Sequence, residues 1–149
     1  MNYSDMKIVL QEIPGEITIC FTITGCKINC KGCHSPFLWK KENGRKLSQE
    51  TYLNILNRYK GFAGSILFMG GEWHKKELIK YLRIAKNLGY KTCLYTGLND
   101  VHRDILPELT WLKTGPWLEE QGGLDSKTTN QKFIDVKTKQ TLNHLFIKN

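Results

Sequence analysis

The sequence predicts an α/β fold built around a mainly parallel β-sheet. Short apolar segments rich in β-branched and aromatic residues alternate along the chain with segments whose apolar residues recur at helical spacing. The chain has 149 residues, of which 40% are hydrophobic and 11% aromatic, so it is long and apolar enough to bury one core. We therefore expect one domain over residues 1–149.

Six segments have the composition of strands, because they are short, apolar and rich in β-branched or aromatic side chains. The clearest is ITICFTI at residues 17–23, which has the pattern of a buried strand. The predicted strands are residues 17–23, 65–69, 90–95, 109–113, 132–136 and 144–147. Helical segments separate the first four of these strands, and this alternation favours parallel pairing.

Three segments are predicted to be helices. The first begins at Ser48, a suitable N-cap residue, and ends before Gly61. The second covers residues 75–88, carries one apolar stripe and stops at Gly89. A short third helix is expected at residues 101–106.

Polar or glycine-rich turns follow three of the predicted strands. The cysteine-containing loop follows Ile23, the turn Gly70-Gly71-Glu72 follows Met69, and Thr96-Gly97 follows Tyr95. Because parallel sheets bind ligands at the carboxyl ends of their strands, we expect these turns to meet at one edge and form a site.

Charge and hydropathy limit the classes of partner. The formal net charge is +8, and such a basic surface suits nucleic acid, an acidic protein or an anionic substrate equally well. The alternative is a solvated basic face without a partner. No apolar run approaches the roughly 18 residues of a transmembrane helix, and residues 1–10 have no signal-peptide pattern. We expect a cytoplasmic protein without a membrane partner.

Three of the five cysteines, Cys26, Cys30 and Cys33, fall within eight residues. In a reducing compartment, clustered thiols indicate metal or redox chemistry rather than disulfides. Their spacing would also place them on one face of a helix, but Gly25 and Gly32 oppose a regular helix there. Cys20 and Cys93 stand apart, within predicted strands, and are expected to be core residues.

Two kinds of metal site fit the cysteine cluster. A structural zinc ion would take four ligands, here the three cysteines with His34 or His74, yet no second pair at zinc-finger spacing follows. A [4Fe–4S] cluster normally takes four thiolates, so three local cysteines would leave one iron open to a substrate. The absence of a second pair favours the iron–sulfur cluster. Cys93 is the alternative fourth ligand.

The segment CKINCKGCH, residues 26–34, matches the CxxxCxxC signature of radical S-adenosylmethionine enzymes. The wider pattern resembles the activating proteins of anaerobic (class III) ribonucleotide reductase. The likeness also includes PGEI at 14–17, MGGEW at 69–73, LYTG at 94–97, LKTG at 112–115 and GGLDSKTTNQKFIDV at 122–136. The cluster motif points strongly to the superfamily, whereas the small size and the later motifs point less sharply to the reductase activases, because related activases share the first half of the chain.

The resemblance implies an incomplete parallel α/β barrel that holds a [4Fe–4S] cluster on the three cysteines and binds S-adenosyl-L-methionine at the open iron. In such enzymes the turn that corresponds to Gly70-Gly71-Glu72 is the site for the methionine amine, although many relatives have proline where this chain has Trp73. The implied cofactor-binding residues are Gly32, Cys33, His34, Gly70, Gly71, Glu72, Thr96 and Gly97. The cofactors carry the chemistry, so no acid–base catalytic residue is expected.

The resemblance also implies partners. The expected activity is reductive cleavage of S-adenosylmethionine, followed by formation of a glycyl radical on the large subunit of anaerobic ribonucleotide reductase, with an electron donor such as flavodoxin or ferredoxin. Asn130 and Gln131 would contact either that partner or the cofactor. The alternatives are an activase of another glycyl-radical enzyme, of the pyruvate formate-lyase kind, or a radical enzyme acting on a small nucleotide-like molecule. A zinc-stabilised nucleic-acid-binding module is the alternative from another class, and the sequence offers no aromatic–basic motif for it.

Overall fold

The computed structural model describes residues 1–26 and 39–147. Within these residues the chain forms one seven-stranded sheet, with strand order β3-β1-β2-β4-β5-β6-β7, and two α-helices. The strands are β1 (Asn2–Val9), β2 (Thr18–Ile23), β3 (Arg45–Lys46), β4 (Ser65–Met69), β5 (Lys91–Tyr95), β6 (Trp111–Thr114) and β7 (Lys132–Asp135), and the helices are α1 (Gln49–Arg58) and α2 (Lys75–Asn87).

The centre of the sheet is parallel, as predicted, and its borders are not. Strands β2, β4, β5 and β6 pair in parallel, whereas β1, β3 and β7 pair antiparallel to their neighbours. The sequence did not predict β1, because Ser4, Asp5 and Lys7 interrupt its apolar pattern and a bulge lies between Tyr3 and Asp5. The fold is therefore mixed α/β with a parallel core.

One face of the sheet is covered by both helices. The parallel strands follow each other in chain order without reversal, and right-handed crossovers then place α1 and α2 on the same side. Their buried side chains form the larger core with Phe21 and Phe68. Tyr52 stacks on Tyr81 at 4.6 Å between ring centroids and donates its hydroxyl to the Tyr81 carbonyl at 2.8 Å.

The other face carries a smaller core in which Cys20, Leu67 and Cys93 lie side by side in the strand register. Burial raises the pKa of the Cys20 thiol to about 12 and also raises the pKa of Cys93, so both stay neutral. Both cysteines are core residues, as predicted, and Phe133 of β7 packs with them.

Two predicted elements are wrong. Residues 101–106 do not form a helix. A turn at 103–105 instead leads into a short 3₁₀ helix, Leu106–Glu108, because Pro107 is tolerated in the first turn of a helix and so favours a start there.

The predicted strand at 144–147 is also wrong, since a 3₁₀ helix covers Asn143–Phe146. The Asn143 side chain accepts a hydrogen bond from the Phe133 amide and donates one to the Gln131 carbonyl, both at 2.8 Å. It thus satisfies backbone groups at the start of β7 and just before it, with which another strand would otherwise pair.

Neither α1 nor α2 has the length and apolar character that crossing a bilayer requires, and the described part of the chain contains no other helix that does.

Candidate functional site

The loops that follow the parallel strands meet at the carboxyl edge of the sheet. Thr22, Met69, Tyr95 and Lys113 pair laterally in the register, so β2, β4, β5 and β6 end at the same level. The structure therefore brings together the loop with Cys26, the turn at 70–72 and the turn at 96–97. Of the other predicted site residues, Cys30, Gly32, Cys33 and His34 lie outside the described residues.

A network of hydrogen bonds fixes the backbone on both sides of the cysteine segment. The Thr24 amide donates to the Asn2 carbonyl at 2.9 Å, and the Thr24 hydroxyl donates to the Lys41 carbonyl at 3.0 Å. The Asn2 side-chain amide also donates to the Lys41 carbonyl, at 3.4 Å. Thr24 and Lys41 thus stand next to each other, and the half-buried Cys26 follows two residues after Thr24.

The turn after β4 requires glycine. Gly70 and Gly71 have φ angles of +85° and +109°, a backbone conformation that side chains oppose. A β-carbon added to Gly70 would lie 2.8 Å from Cη2 of Trp73, and one added to Gly71 would lie 3.2 Å from the Met1 sulfur. The Gly70 amide donates to the Tyr95 carbonyl at 2.9 Å, which joins this turn to the end of β5.

The indole of Trp73 bridges two loops of the site. Its far edge packs on Gly70, and its Nε1 would lie 3.4 Å from a β-carbon added to Gly25, the residue before Cys26. Nε1 is buried and has no hydrogen-bond partner among the described residues. Trp73 therefore fills the space between the β4 turn and the cysteine loop and points a polar atom into it.

Glu72 is a buried carboxyl group with one oxygen unsatisfied. The Thr96 hydroxyl donates to Glu72 Oε1 at 2.6 Å, whereas Oε2 is buried without a partner in the part of the chain that the structure describes. Burial raises the pKa of Glu72, and the hydrogen bond from Thr96 and the charge of Lys113 offset this rise in part. An unsatisfied carboxyl oxygen of this kind suits a ligand that donates hydrogen bonds.

Lys113 is a site residue that the sequence reasoning did not select. Its Nζ donates to the carbonyl of Thr96 at 3.3 Å and to the carbonyl of Gly115 at 3.0 Å, and it lies 6.0 Å from the centre of the Tyr95 ring. The available signal was a charged residue in the last positions of an otherwise apolar strand, within the LKTG motif. Lys113 places a positive charge on the face that the helices leave open.

Asn130 and Gln131 lie at the same edge, behind the end of β6. A β-carbon added to Gly115 would lie 3.1 Å from Gln131 Cα and 3.3 Å from Asn130 Nδ2, so the two backbones are in close contact. Asn130 donates to the Pro116 carbonyl at 3.0 Å, and its Oδ1 is buried without a partner among the residues described. A third unsatisfied polar atom, after Trp73 Nε1 and Glu72 Oε2, thus lies at this edge.

The described residues at this edge are compatible with an iron–sulfur cluster and a polar ligand beside it. Cys26 supplies one thiol at the edge where Glu72 has an unsatisfied oxygen, and the sequence has two more cysteines, Cys30 and Cys33, within the next seven residues, which is the donor type that such a cluster takes. Within residues 1–26 and 39–147, no group of three or more histidine, cysteine or acidic side chains is arranged to hold a metal ion.

Comparison with known proteins gives two findings. A family model described as a 4Fe-4S single cluster domain matches residues 14–121, a range that includes all three clustered cysteines. The chain is also 34% identical over 94 residues to a pyruvate formate-lyase-activating enzyme of Clostridium pasteurianum. That match covers 59% of the chain and 39% of the length of the enzyme.

Proposed function

Because the chain belongs to the family of 4Fe-4S single cluster domains, we propose that it is a radical S-adenosylmethionine activase that generates a glycyl radical on anaerobic ribonucleotide reductase. The observation that carries the proposal is the meeting of Cys26, the turn at 70–72 and Thr96 at one edge of a parallel sheet. The strand order without reversal and the helices on one face support an incomplete parallel barrel over residues 1–149.

In this proposal Cys26, Cys30 and Cys33 hold the cluster. One-electron reduction of bound S-adenosylmethionine is the chemistry that the cluster supplies. The protein's own part is to bind and orient the cofactor and to exclude water. Gly32 and His34 would flank it from the cysteine loop.

The turns after β4 and β5 would hold the methionine part of the cofactor. The open Oε2 of Glu72 is suited to accept a hydrogen bond from the ammonium group, and Thr96 orients the carboxylate by binding its other oxygen. The Gly71 carbonyl accepts from the His74 amide at 2.9 Å and keeps a second lone pair for the ligand. Gly97, next to Thr96, would line the same turn.

The choice of ribonucleotide reductase as partner is supported by the later motifs. LKTG and TTNQKFIDV lie in the part of the chain where the likeness to its activating proteins is most particular. Asn130 and Gln131 belong to that part and are held against Gly115 at the edge of the site. The similarity to a pyruvate formate-lyase-activating enzyme favours a second candidate, activation of an enzyme of the pyruvate formate-lyase kind.

The test is anaerobic reconstitution with iron and sulfide, followed by EPR of the dithionite-reduced protein with and without S-adenosylmethionine. We expect a reduced-cluster signal that changes shape when the cofactor is added. A signal indifferent to the cofactor would leave an electron carrier, and zinc in place of iron would indicate the nucleic-acid-binding alternative.

The partner is tested by adding either purified anaerobic ribonucleotide reductase or purified pyruvate formate-lyase to the reduced protein and the cofactor. We expect a glycyl radical, detected by EPR, on the reductase. A radical on the lyase alone would select the second candidate, and formation of 5′-deoxyadenosine without either radical would indicate a small-molecule substrate.

A further inference from the structure

A band of basic side chains lies beside the loop that contains Cys26. Part of it comes from the segment before α1 and part from the start of α2 and the loop before β6. We call this band the basic rim, and its members are Lys40, Lys41, Lys46, Lys75, Lys76 and Arg103. All are exposed except Lys75, which is half-buried.

Most of this positive charge is not neutralised within the protein. In residues 1–26 and 39–147, Lys75 pairs with Asp104 at 3.5 Å, and no ion pair involves the other five basic residues of the rim. Glu108 pairs instead with Arg83 at 3.3 Å, and the exposed Glu42 offsets one of the charges. The rim thus keeps a net positive charge that an anionic surface would complement.

The rim contains a groove as well as charge. A cavity of about 490 Å³ lies between α2 and the 103–108 segment, and Lys75, Lys76, Arg83 and Arg103 line it together with Asp104 and Glu108. Lys75 and Arg83 are paired with these two acids, so Lys76 and Arg103 are the basic side chains of the groove that can bind carboxylate side chains of a partner protein.

Packed aromatic groups connect the rim to the cysteine loop. His74, directly before Lys75, has its ring 6.2 Å from the ring of Trp73, and the Trp73 indole packs against Gly25. On the other side, the Cβ of Lys41 would lie 3.6 Å from a β-carbon added to Gly25. A protein seated on the rim would therefore stand next to the loop that holds Cys26.

We propose that the basic rim docks the acidic one-electron carrier protein that reduces the cluster, an inference that rests on the proposed function. One electron leaves the reduced flavin or iron–sulfur centre of the carrier and reduces the [4Fe–4S] cluster, and no bond forms or breaks. The carrier needs close approach to the cluster but no access to the bound cofactor. Small, charge-guided contacts are typical of electron-transfer complexes.

The test uses the reconstituted holoprotein with the double variant K76E/R103E and, as probe, purified flavodoxin, an acidic flavin protein. The matched control is K60E/K137E, which makes the same change of charge at two exposed lysines near the opposite edge of the sheet. Affinity is measured by titration at low and high ionic strength, and the rate of cluster reduction by stopped-flow absorbance.

We expect K76E/R103E to weaken flavodoxin binding and to slow cluster reduction by about tenfold or more at low ionic strength, with a smaller effect at high ionic strength. The control should stay within about twofold of the wild type. Iron content and reduction by dithionite should be the same in all three proteins.

Equal losses in the variant and in the control would overturn the proposal. It would also be overturned if flavodoxin binding were unchanged while binding of the glycyl-radical enzyme or of a single-stranded oligonucleotide fell. The affinity and reduction rate do not depend on cleavage of S-adenosylmethionine. A protein that binds flavodoxin through the rim but does not cleave the cofactor would therefore refute the proposed function and leave the docking surface standing.

Discussion

The acidic side chains at the two edges of the parallel sheet differ in their partners. At the amino edge, Glu16 accepts a hydrogen bond from Ser65 at 2.9 Å and pairs with Lys91 at 3.1 Å. Glu108, at the same edge, is 8% exposed and pairs with Arg83 and Lys86. Each of these carboxylates has a cation within 4.0 Å.

At the carboxyl edge, Glu72 has a hydroxyl on one oxygen, and its other oxygen is buried without a partner among the described residues. Trp73 Nε1 and Asn130 Oδ1 are in the same condition. The carboxylates at the amino edge therefore have their partners, although the Thr18 hydroxyl there is buried without one among the described residues, whereas the carboxyl edge has a carboxyl oxygen that a ligand would satisfy. The difference separates a part of the protein that stabilises the fold from a part that is arranged for binding.

The largest expected effect is on cluster binding, and it distinguishes Cys26 at the carboxyl edge from Cys93 in the core. Cys26→Ala should abolish cluster binding, because a loop with two thiolates cannot hold the cluster in place of three. Cys93→Ala should keep the cluster, since the Cys93 side chain is buried in the core below the site. Iron and sulfide analysis with visible absorption after reconstitution checks both, and loss of the cluster in Cys93→Ala would show that the open-iron arrangement is wrong.

A smaller effect is expected from a pair of glycines, one at each edge. Gly70→Ala should lower the free energy of unfolding of the apoprotein by about 3 kcal/mol, because it adds a clash with Trp73 to the strain of a positive φ. Gly89→Ala should cost about 1 kcal/mol, since Gly89 has a φ of +92° but no atom within 4 Å of an added β-carbon. Urea unfolding of both variants measures the difference, and equal losses would show that Trp73 yields freely.

The smallest effect is expected from replacing Glu108 or Glu72 by glutamine, and the change in the free energy of unfolding should have opposite signs at the two edges. Glu108→Gln should destabilise the apoprotein by about 1 kcal/mol through the loss of its ion pairs, which involve largely exposed partners. Glu72→Gln should instead stabilise it at neutral pH, by about 1 kcal/mol, because it removes a charge whose burial is offset only in part by Lys113 and by no ion pair among the described residues.

The raised pKa of Glu72 also predicts how the free energy of unfolding changes with pH. Because the folded-state pKa of Glu72 is raised, its contribution to stability is full below the ordinary glutamate pKa of about 4.3 and is lost as the pH rises through the raised value. Glu72→Gln should remove this part of the decline. Urea unfolding across the acid-to-neutral range would contradict the assignment if wild type and variant declined in parallel.

The parallel core of the fold was predictable because each of its strands is short and apolar enough to be recognised alone. Residues 65–69 and the helix at 75–88 were assigned to within one residue at each end. Of the border strands, β7 was predicted to within one residue, but β1 was not, because it carries polar residues in its middle. The segment at 144–147 was wrongly predicted to be a strand, since the side chain of Asn143 makes a contact with β7 that no local pattern encodes.

The parts of the candidate site that follow a strand directly in the sequence were predictable. The parts whose position depends on the register between two strands were not. Gly70, Gly71, Glu72 and Thr96 follow strands in the sequence, so their place at the edge could be inferred. The position of Lys113 beside the Thr96 carbonyl depends on the pairing of β5 with β6, which sequence alone does not reveal. The function of Cys30 and Cys33 remains a prediction, since both lie outside the described residues.

The hydrogen bonds among Asn2, Thr24 and Lys41 have a consequence for the thermodynamics of metal uptake. They hold together the two ends of the segment that contains Cys30 and Cys33. The ends are so close that Lys41 Cα would lie 3.8 Å from a β-carbon added to Gly25. Bringing together the ends of a chain segment of this length costs about 2 kcal/mol of chain entropy. Folding of the sheet meets that cost, so binding of iron at the proposed cluster site would not have to meet it again.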